Sequence, residues 1–452
     1  MKKISRIMAL FMAVAMLAAV FSGCGKTEEA KTIPSGEVGS DGNKPYSGVT
    51  VEYASCFNEA EQQAIWLMEQ SKEWESLTGG KIHFNFAGRD VLTSVKSDIL
   101  IGKAPDIIDN DASELAAALL SGGEILLEPL DDVLDRCTVG ESSPLKDNMK
   151  GSYSLYNVDG KCYTMPFIFI TSGFFYNKTL FNKLNLTVPK TWDEFLMVCD
   201  AIEASGIPAL AADGNISFYN SYYFITLCQR IMGGGSFYAA AMDKTGATWD
   251  KPEYLQAAKM VSELSAAGRN YFQEGYAGSA YPAAQSDWAM GGAGMIYCGT
   301  WIPLETSSLT DSNFEFGFFP FPSVEGGKGS TTQIEAHLMA FGVPKDAANK
   351  DAAKDFIAYC SSKKAADRLV ELTDNMSART DAIYPEALVD VKPTVDAAVA
   401  YQKNYDGAMS AAPEWFANVF YTADDPLFFG TLSPEEFIAQ IKADTIKFYS
   451  NK

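Results

Sequence analysis

The hydrophobic period of the chain switches repeatedly between two and about 3.6, and the switching predicts the architecture. Residues 49–54 have strand composition behind a Ser47-Gly48 turn. Over residues 59–77, Ala64, Leu67, Met68 and Trp74 fall near one helical face. Thr78-Gly79-Gly80 ends that run, because glycine accepts the conformation that stops a helix. Residues 81–86 alternate Ile and Phe with His and Asn, a strand signature. A helical stretch at 91–101 and an apolar segment at 105–108 follow. This order predicts an α/β layer of largely parallel strands with right-handed crossovers. Further on, Thr191 caps a helix running to about 204, with Glu194 three residues later completing the capping pattern. Another helix covers 252–267 and stops at Gly268. A third begins near Asn349 and carries Ala353, Phe356, Ile357 and Cys360 on one side. From Ser433 onward the chain reads as a capped amphipathic helix.

The first residues follow a different logic. Lys2, Lys3 and Arg6 precede an apolar run at 7–21 and the small residues Ser22-Gly23. That is the layout of a secretory leader, and the run is shorter than the roughly 20 residues that span a bilayer. The expected leader is 1–23. Phe21-Ser22-Gly23-Cys24 resembles a bacterial lipobox, which implies that Cys24 is lipidated. Two acyl chains on one cysteine suffice for stable anchoring. Residues 24–48 hold almost no large apolar side chains and read as a flexible tether.

The remainder is long enough for two domains. Loss of three cations with the leader takes the formal charge from −21 to −24. Such a surface repels nucleic acid and gains nothing from anionic lipid, so membrane attachment falls to the lipid anchor. Cys56, Cys137, Cys162, Cys199, Cys228, Cys298 and Cys360 are scattered, with no metal-ligand spacing. They read as small buried hydrophobes. No metal and no cofactor is expected.

Several motifs stand in a telling order. Trp74-Glu75-Ser76-Leu77-Thr78-Gly79 precedes the second strand, and Pro105-Asp106-Ile107-Ile108 follows it. Then come Gly160-Lys161-Cys162-Tyr163-Thr164-Met165-Pro166-Phe167, Phe175-Tyr176-Asn177-Lys178 and Pro189-Lys190-Thr191-Trp192-Asp193-Glu194-Phe195. Met290-Gly291-Gly292-Ala293-Gly294-Met295, Gly299-Thr300-Trp301 and Phe319-Pro320-Phe321-Pro322 complete the set. In this order the chain resembles the family 1 extracellular solute-binding proteins of bacterial ABC importers, the group that includes maltose-binding protein. The resemblance implies a two-lobed α/β fold with a hinge and an interlobe ligand cleft. It implies a first lobe of 49–168 plus 323–374 and a second of 169–322 plus 375–452. Hinge crossings are expected near 167–170, 321–323 and 374–379. The implied partners are a carbohydrate ligand and two permease subunits driven by a cytoplasmic ATPase pair. The chain itself is expected to act as a monomer at the extracytoplasmic face of the membrane.

Physical chemistry and resemblance together select candidate contacts. Asn110 and Asp111 close the strand at 105–108, where carboxylate and amide groups can bond sugar hydroxyls; helix capping by Asp111 or Ser113 is the alternative. Trp301 follows the strand-like 295–297 and offers a ring for the apolar face of a sugar. Trp415 is a similar late aromatic that could equally fill a core. Tyr219 and Tyr222, three apart, can share a helical face. Asn58, after the first strand, and Glu335, beside another with His337, complete the set.

An exported glycosidase would need two opposed carboxylates, and acidic residues are plentiful. Yet G-x-S-x-G and phosphate-loop signatures are missing, and the two histidines, His83 and His337, stand far apart. The chain is therefore expected to bind rather than catalyse. Aromatic supply favours carbohydrate over a polyamine, amino acid or metal as cargo.

Overall fold

The computed structural model describes residues 32–33, 42–121, 123–138, 140–265 and 270–451. The expected leader and Cys24 lie outside these residues. The strands are β1 (Thr32–Ile33), β2 (Thr50–Ser55), β3 (Lys81–Phe86), β4 (Ile107–Asp111), β5 (Cys137–Thr138), β6 (Met165–Ile170), β7 (Ser172–Asn177), β8 (Leu210–Ala211), β9 (Met295–Gly299), β10 (Phe316–Phe319), β11 (Gln333–Gly342) and β12 (Ala400–Lys403). The helices that matter here are α1 (Gln62–Thr78), α2 (Val91–Leu100), α3 (Ala112–Leu115), α4 (Trp192–Glu203), α5 (Ser217–Met232), α6 (Pro252–Ser265), α7 (Ile302–Thr306), α8 (Lys350–Cys360), α9 (Lys363–Thr373), α10 (Ala408–Ala411) and α11 (Pro434–Ser450).

Two larger sheets organise the molecule, one in each lobe of a two-lobed α/β fold. The first has the order β12-β11-β4-β2-β3, with β6 alongside β11. As the pattern predicts, β2 runs parallel to β3 and to β4. The parallel rule stops at β11, which is antiparallel to β4 and β6. It is not reached by a local helical crossover but returns from the other lobe, so nothing imposes the parallel direction. Helices α1, α8 and α9 cover this sheet, and Trp66 Nε1 donates to Ala365 O at 3.0 Å. Trp74 Nε1 donates to Asp355 Oδ1 at 2.7 Å, so both buried indoles keep a partner.

The second sheet has the order β10-β7-β9-β8. β7 is antiparallel to β9 and β10, while β8 is parallel to β9. Helix α5 is buried along its whole length from Tyr219 to Ile231 and packs against α6, which also packs against α11 and the helical segment Tyr421–Phe428. The capping pattern expected at Thr191 forms, and the expected cap of the last helix, at Ser433, is also a full capping box. Among the described residues no helix is long and apolar enough to cross a membrane.

The expected tether is not wholly free of the fold. β1 pairs in parallel with β5. Tyr46 stacks on Trp74 at 5.6 Å, and its N–H donates to Thr78 O at 2.9 Å. One aromatic side chain in an otherwise polar stretch is enough to fasten its end to α1.

Three passages join the lobes. β6 runs almost directly into β7 through Thr171. The second passage comes later than 321–323, because Ser323 is still bonded to Lys190 and Lys328 to Ile231. The chain leaves the second lobe only as β11 begins. At the third, Phe169 N donates to Met376 O at 2.9 Å and Ala378 N to Phe167 O at 3.0 Å. The chain then lingers at the seam, with Lys178 paired to Asp390 and Lys150 Nζ bonded to the carbonyl oxygens of Val395 and Asp396. β12 rejoins the first sheet before the last helices enter the second lobe.

Candidate functional site

The long strand β11 forms the floor of the space between the lobes. Its side chains alternate between buried and half-buried, so Glu335, His337 and Met339 share the accessible face. β4 runs beside it in the register Met339↔Asp111 and supplies the first wall.

Three consecutive polar residues at the end of β4 have three different duties. Asp109 is internal: Tyr53 Oη donates to it at 2.6 Å and Cys56 N at 2.9 Å, and burial raises its carboxyl above the ordinary range. Asn110 Oδ1 accepts from Asp111 N at 2.7 Å, while its buried Nδ2 finds no protein acceptor among the described residues. Asp111 caps α3, accepting from Ser113 N at 2.6 Å and Glu114 N at 3.1 Å, and its other oxygen pairs with His337 Nε2. Capping and cleft placement therefore coexist at Asp111. Burial works to raise its carboxyl, yet His337 carries it below the ordinary value. Burial likewise disfavours a charged His337, but Asp111, then Glu335 and Glu114, raise its pKa.

Glu335 ties the floor to the second lobe. Ser172 Oγ donates to it at 3.2 Å and Tyr405 N at 3.3 Å. Burial pushes its pKa up to about 7 against the pull of His337. Tyr405 reaches this position because it and Asp406 both adopt left-handed backbone, with φ of 49° and 56°. Such consecutive non-glycine residues are costly. Asp406 holds the turn by accepting from Gly235 N at 2.7 Å and Tyr238 N at 3.1 Å. Tyr222 stacks on Tyr405 with ring centres 5.3 Å apart.

The second wall is built around Trp301, just beyond β9. Its ring faces the edge of His337 at 6.2 Å and 77°. A glycine must stand at 299, since a Cβ there would lie 2.0 Å from Trp301 Cζ3. Four residues along, burial pushes Glu305 up to about 7, against hydrogen bonding from Tyr281 and the charge of Arg89 on the opposite lobe. The arrangement can accept several hydroxyl or ammonium donors and offers one aromatic face.

A match to the family model for bacterial extracellular solute-binding proteins covers residues 58–367. The chain belongs to this family. It is 25% identical over 330 residues to the multiple sugar-binding protein of Streptococcus mutans, covering 72% of this chain and 74% of the relative. It is also 25% identical over 284 residues to the diacetylchitobiose binding protein NgcE of Streptomyces coelicolor, covering 61% of this chain and 59% of that one. Among solved structures, the bacterial solute receptor AcbH, described as preferring β-D-galactopyranose, superposes with a TM-score of 0.72 at 20% identity. That alignment covers 90% of this chain and 99% of the receptor, and establishes the shared fold.

Within this family fold the candidate residues separate. Asp111, Glu335 and Trp301 converge around His337, while Tyr222, only 2% exposed, stacks on Tyr405 behind Glu335. Tyr219 lies apart from them in the second lobe, lining a small pocket beside Asp213, where Gln285 Nε2 donates to its hydroxyl at 3.0 Å. Asn58 sits exposed at the first-lobe rim, bonded to Glu61 at 2.8 Å. Trp415 is not in the cleft: it is 0% exposed, stacks with Trp249 at 6.3 Å, and donates to Thr445 Oγ1 at 3.0 Å. Its surroundings are the aromatic core under α11, so it is a packing residue. Ser172, Tyr405, Tyr156 and Glu114 also border the cluster without having been singled out. The sequence signal for that face is the alternation of Glu335, His337 and Met339 with Ala336, Leu338 and Ala340 along β11.

Proposed function

We propose that this protein captures a sugar or oligosaccharide outside the cell and delivers it to the permease of an ABC importer. The observation that carries the reading is the Trp301 ring set across from the hydrogen-bonded Asp111–His337 pair and Glu335, between two lobes joined by a three-stranded seam. A pyranose has an apolar C–H face and a rim of hydroxyls, and such a site answers both. The names of the relatives, a multiple sugar-binding protein and a diacetylchitobiose receptor, agree with it. Asp111, Glu335 and Trp301 are the proposed direct contacts, with Asn110 and Tyr222 behind them and Tyr219 and Asn58 at the margins. Lobe closure over the ligand makes the form that docks on the permease, since a ligand touching both lobes stabilises the closed state. Cys24 carries the lipid that keeps the monomer at the extracytoplasmic membrane face, and the protein binds its cargo without chemical change.

Thermal denaturation of residues 25–452 with mono- and oligosaccharides, alongside polyamines and amino acids, tests the reading. Binding to the folded state raises stability with ligand concentration. A rise with one glycan series and no released product is expected. A shift with a polyamine or amino acid alone refutes the carbohydrate assignment, and hydrolysis of the glycan refutes the receptor assignment.

A further inference from the structure

Ahead of β2, the chain meets the fold at two places. The first is β1, which runs parallel to β5 in the register Thr32↔Cys137 and Ile33↔Thr138. β5 belongs to neither of the larger sheets, so among the described residues β1 is its strand partner. An open strand edge is a template for another stretch of chain, and here the same chain supplies it. β1 also packs against α8.

The second place is the end of α1. Lys44 Nζ donates to Ser76 O, and Tyr46 N donates to Thr78 O at 2.9 Å. The Tyr46 ring stacks on the buried Trp74, and its hydroxyl donates to Asp351 O at the start of α8 at 3.3 Å. Gly79 permits this approach, since a Cβ there would lie 2.7 Å from Ser47 Oγ and 3.1 Å from Lys44 Cβ. All these partners lie on one side of the hinge. α1 and α8 cover the first sheet, and β5 falls in the chain between its strands β4 and β6.

We propose that β1 is a strap that fastens the anchored end of the chain to the first lobe and holds the β5 flank of that lobe beside the membrane. This inference rests on lipidation of Cys24 and adds where the anchored chain meets the fold. Seven residues, 25–31, separate Cys24 from β1. At about 3.6 Å per residue, the path from Cys24 to Thr32 spans at most about 29 Å. Were Lys44 the first fastened residue, the same measure would allow about 72 Å. The strap thus holds the first lobe to less than half the height that the sequence alone permits. With both fastenings on the first lobe, closure swings the second lobe toward a partner held at the membrane.

The test uses the mature lipidated protein in liposomes that carry an acceptor dye on their headgroups. A donor dye is placed on Asp135→Cys, an exposed position shortly before β5; the native cysteines of the described residues are buried. Ten Gly/Ser residues inserted between Lys31 and Thr32 add up to about 36 Å of reach and should lower energy transfer at least about twofold. The same insertion between Gly36 and Glu37, on the far side of β1, should leave transfer unchanged. Equal losses from the two insertions overturn the strap, and so does no loss from either. Amide hydrogen exchange reads the pairing directly: residues 32–33 should exchange at least about tenfold slower than a free peptide. Thr32→Pro with Ile33→Pro removes both N–H groups of β1 and should speed exchange at 137–138. Exchange of 32–33 at the free-peptide rate in the parent overturns the strap. Protein that stays off the liposomes, with no acyl mass on its N-terminal peptide, refutes the lipidation reading and takes this inference with it.

Discussion

Replacing Glu335 by glutamine separates charge from shape at the floor of the cleft. Burial pushes this carboxyl from an ordinary 4.5 to about 7. Each tenfold change in proton affinity corresponds to about 1.4 kcal/mol, so ionised Glu335 destabilises the folded state by about 3 kcal/mol once pH exceeds both values. The folded protein holds the proton more tightly than the unfolded chain. This group's contribution to stability therefore falls as pH rises from about 4.5 to about 7, then levels. Glutamine stays neutral throughout. It can accept from Ser172 or from Tyr405 N–H but not replace both acceptor oxygens, which costs about 1 kcal/mol. His337 loses a favourable neighbour, a further small cost. Ligand-free E335Q should be about as stable as the parent at pH 5 and about 2 kcal/mol more stable at pH 8. Urea unfolding at both pH values measures the difference. Glu114 and Glu305, both also pushed up to about 7, are present in both proteins and largely cancel. A difference between E335Q and parent that is the same at pH 5 and pH 8 would refute the reasoning. Sugar affinity of the stabilised variant should fall about tenfold at pH 8, because hydrogen bonds to a charged acceptor are worth about 1.5–3 kcal/mol.

Trp301→Ala should weaken sugar binding at least about tenfold, the equivalent of ~1.4 kcal/mol, with little change in melting temperature because the ring is only partly enclosed. Unchanged affinity by titration calorimetry would remove Trp301 from the site. Gly299→Ala should weaken binding similarly by displacing that ring, read by the same titration and by tryptophan fluorescence; a parent-like spectrum and affinity would contradict the packing. Trp415→Ala should act oppositely, costing about 3–5 kcal/mol of stability as a buried aromatic truncation while the folded fraction binds sugar normally. Selective loss of affinity there would return Trp415 to the cleft. Cys24→Ser should move the expressed protein from the membrane fraction to the medium or periplasm and abolish acyl labelling; retention in the membrane would refute lipidation at this residue.

Elements whose signals are local were legible in the chain. The strand at 81–86 and the capping boxes at Thr191 and Ser433 need only neighbouring residues to form. What the pattern missed depends on distant contacts. The antiparallel direction of β11 is set by its return from the other lobe. Trp301 and Trp415 both look like cleft aromatics, but one rests over a glycine at a strand end and the other is sealed beneath α11. Asp109, Asn110 and Asp111 are consecutive polar residues, yet Tyr53 and Cys56 N take up Asp109 inside the lobe, while Asp111, where the strand gives way to α3, pairs with His337. Tyr405 could not be read at all, because its place depends on a left-handed turn that Asp406 secures by accepting from Gly235 N, 171 residues away in sequence.

The same turn would carry ligand binding at this floor to the hinge. Glu335 stands on β11, a first-sheet strand that begins where the chain leaves the second lobe. Its two donors, Ser172 and Tyr405, follow the other two passages, one at the start of β7 and one just past β12. A single carboxylate thus touches the chain at all three junctions. A ligand hydroxyl that donates to Glu335 favours its ionised form, and the ionised form strengthens both hydrogen bonds that span the seam. Relative lobe position and ligand occupancy then share one group. That coupling requires a carboxylate held near its neutral–charged boundary, which a more stable glutamine cannot provide.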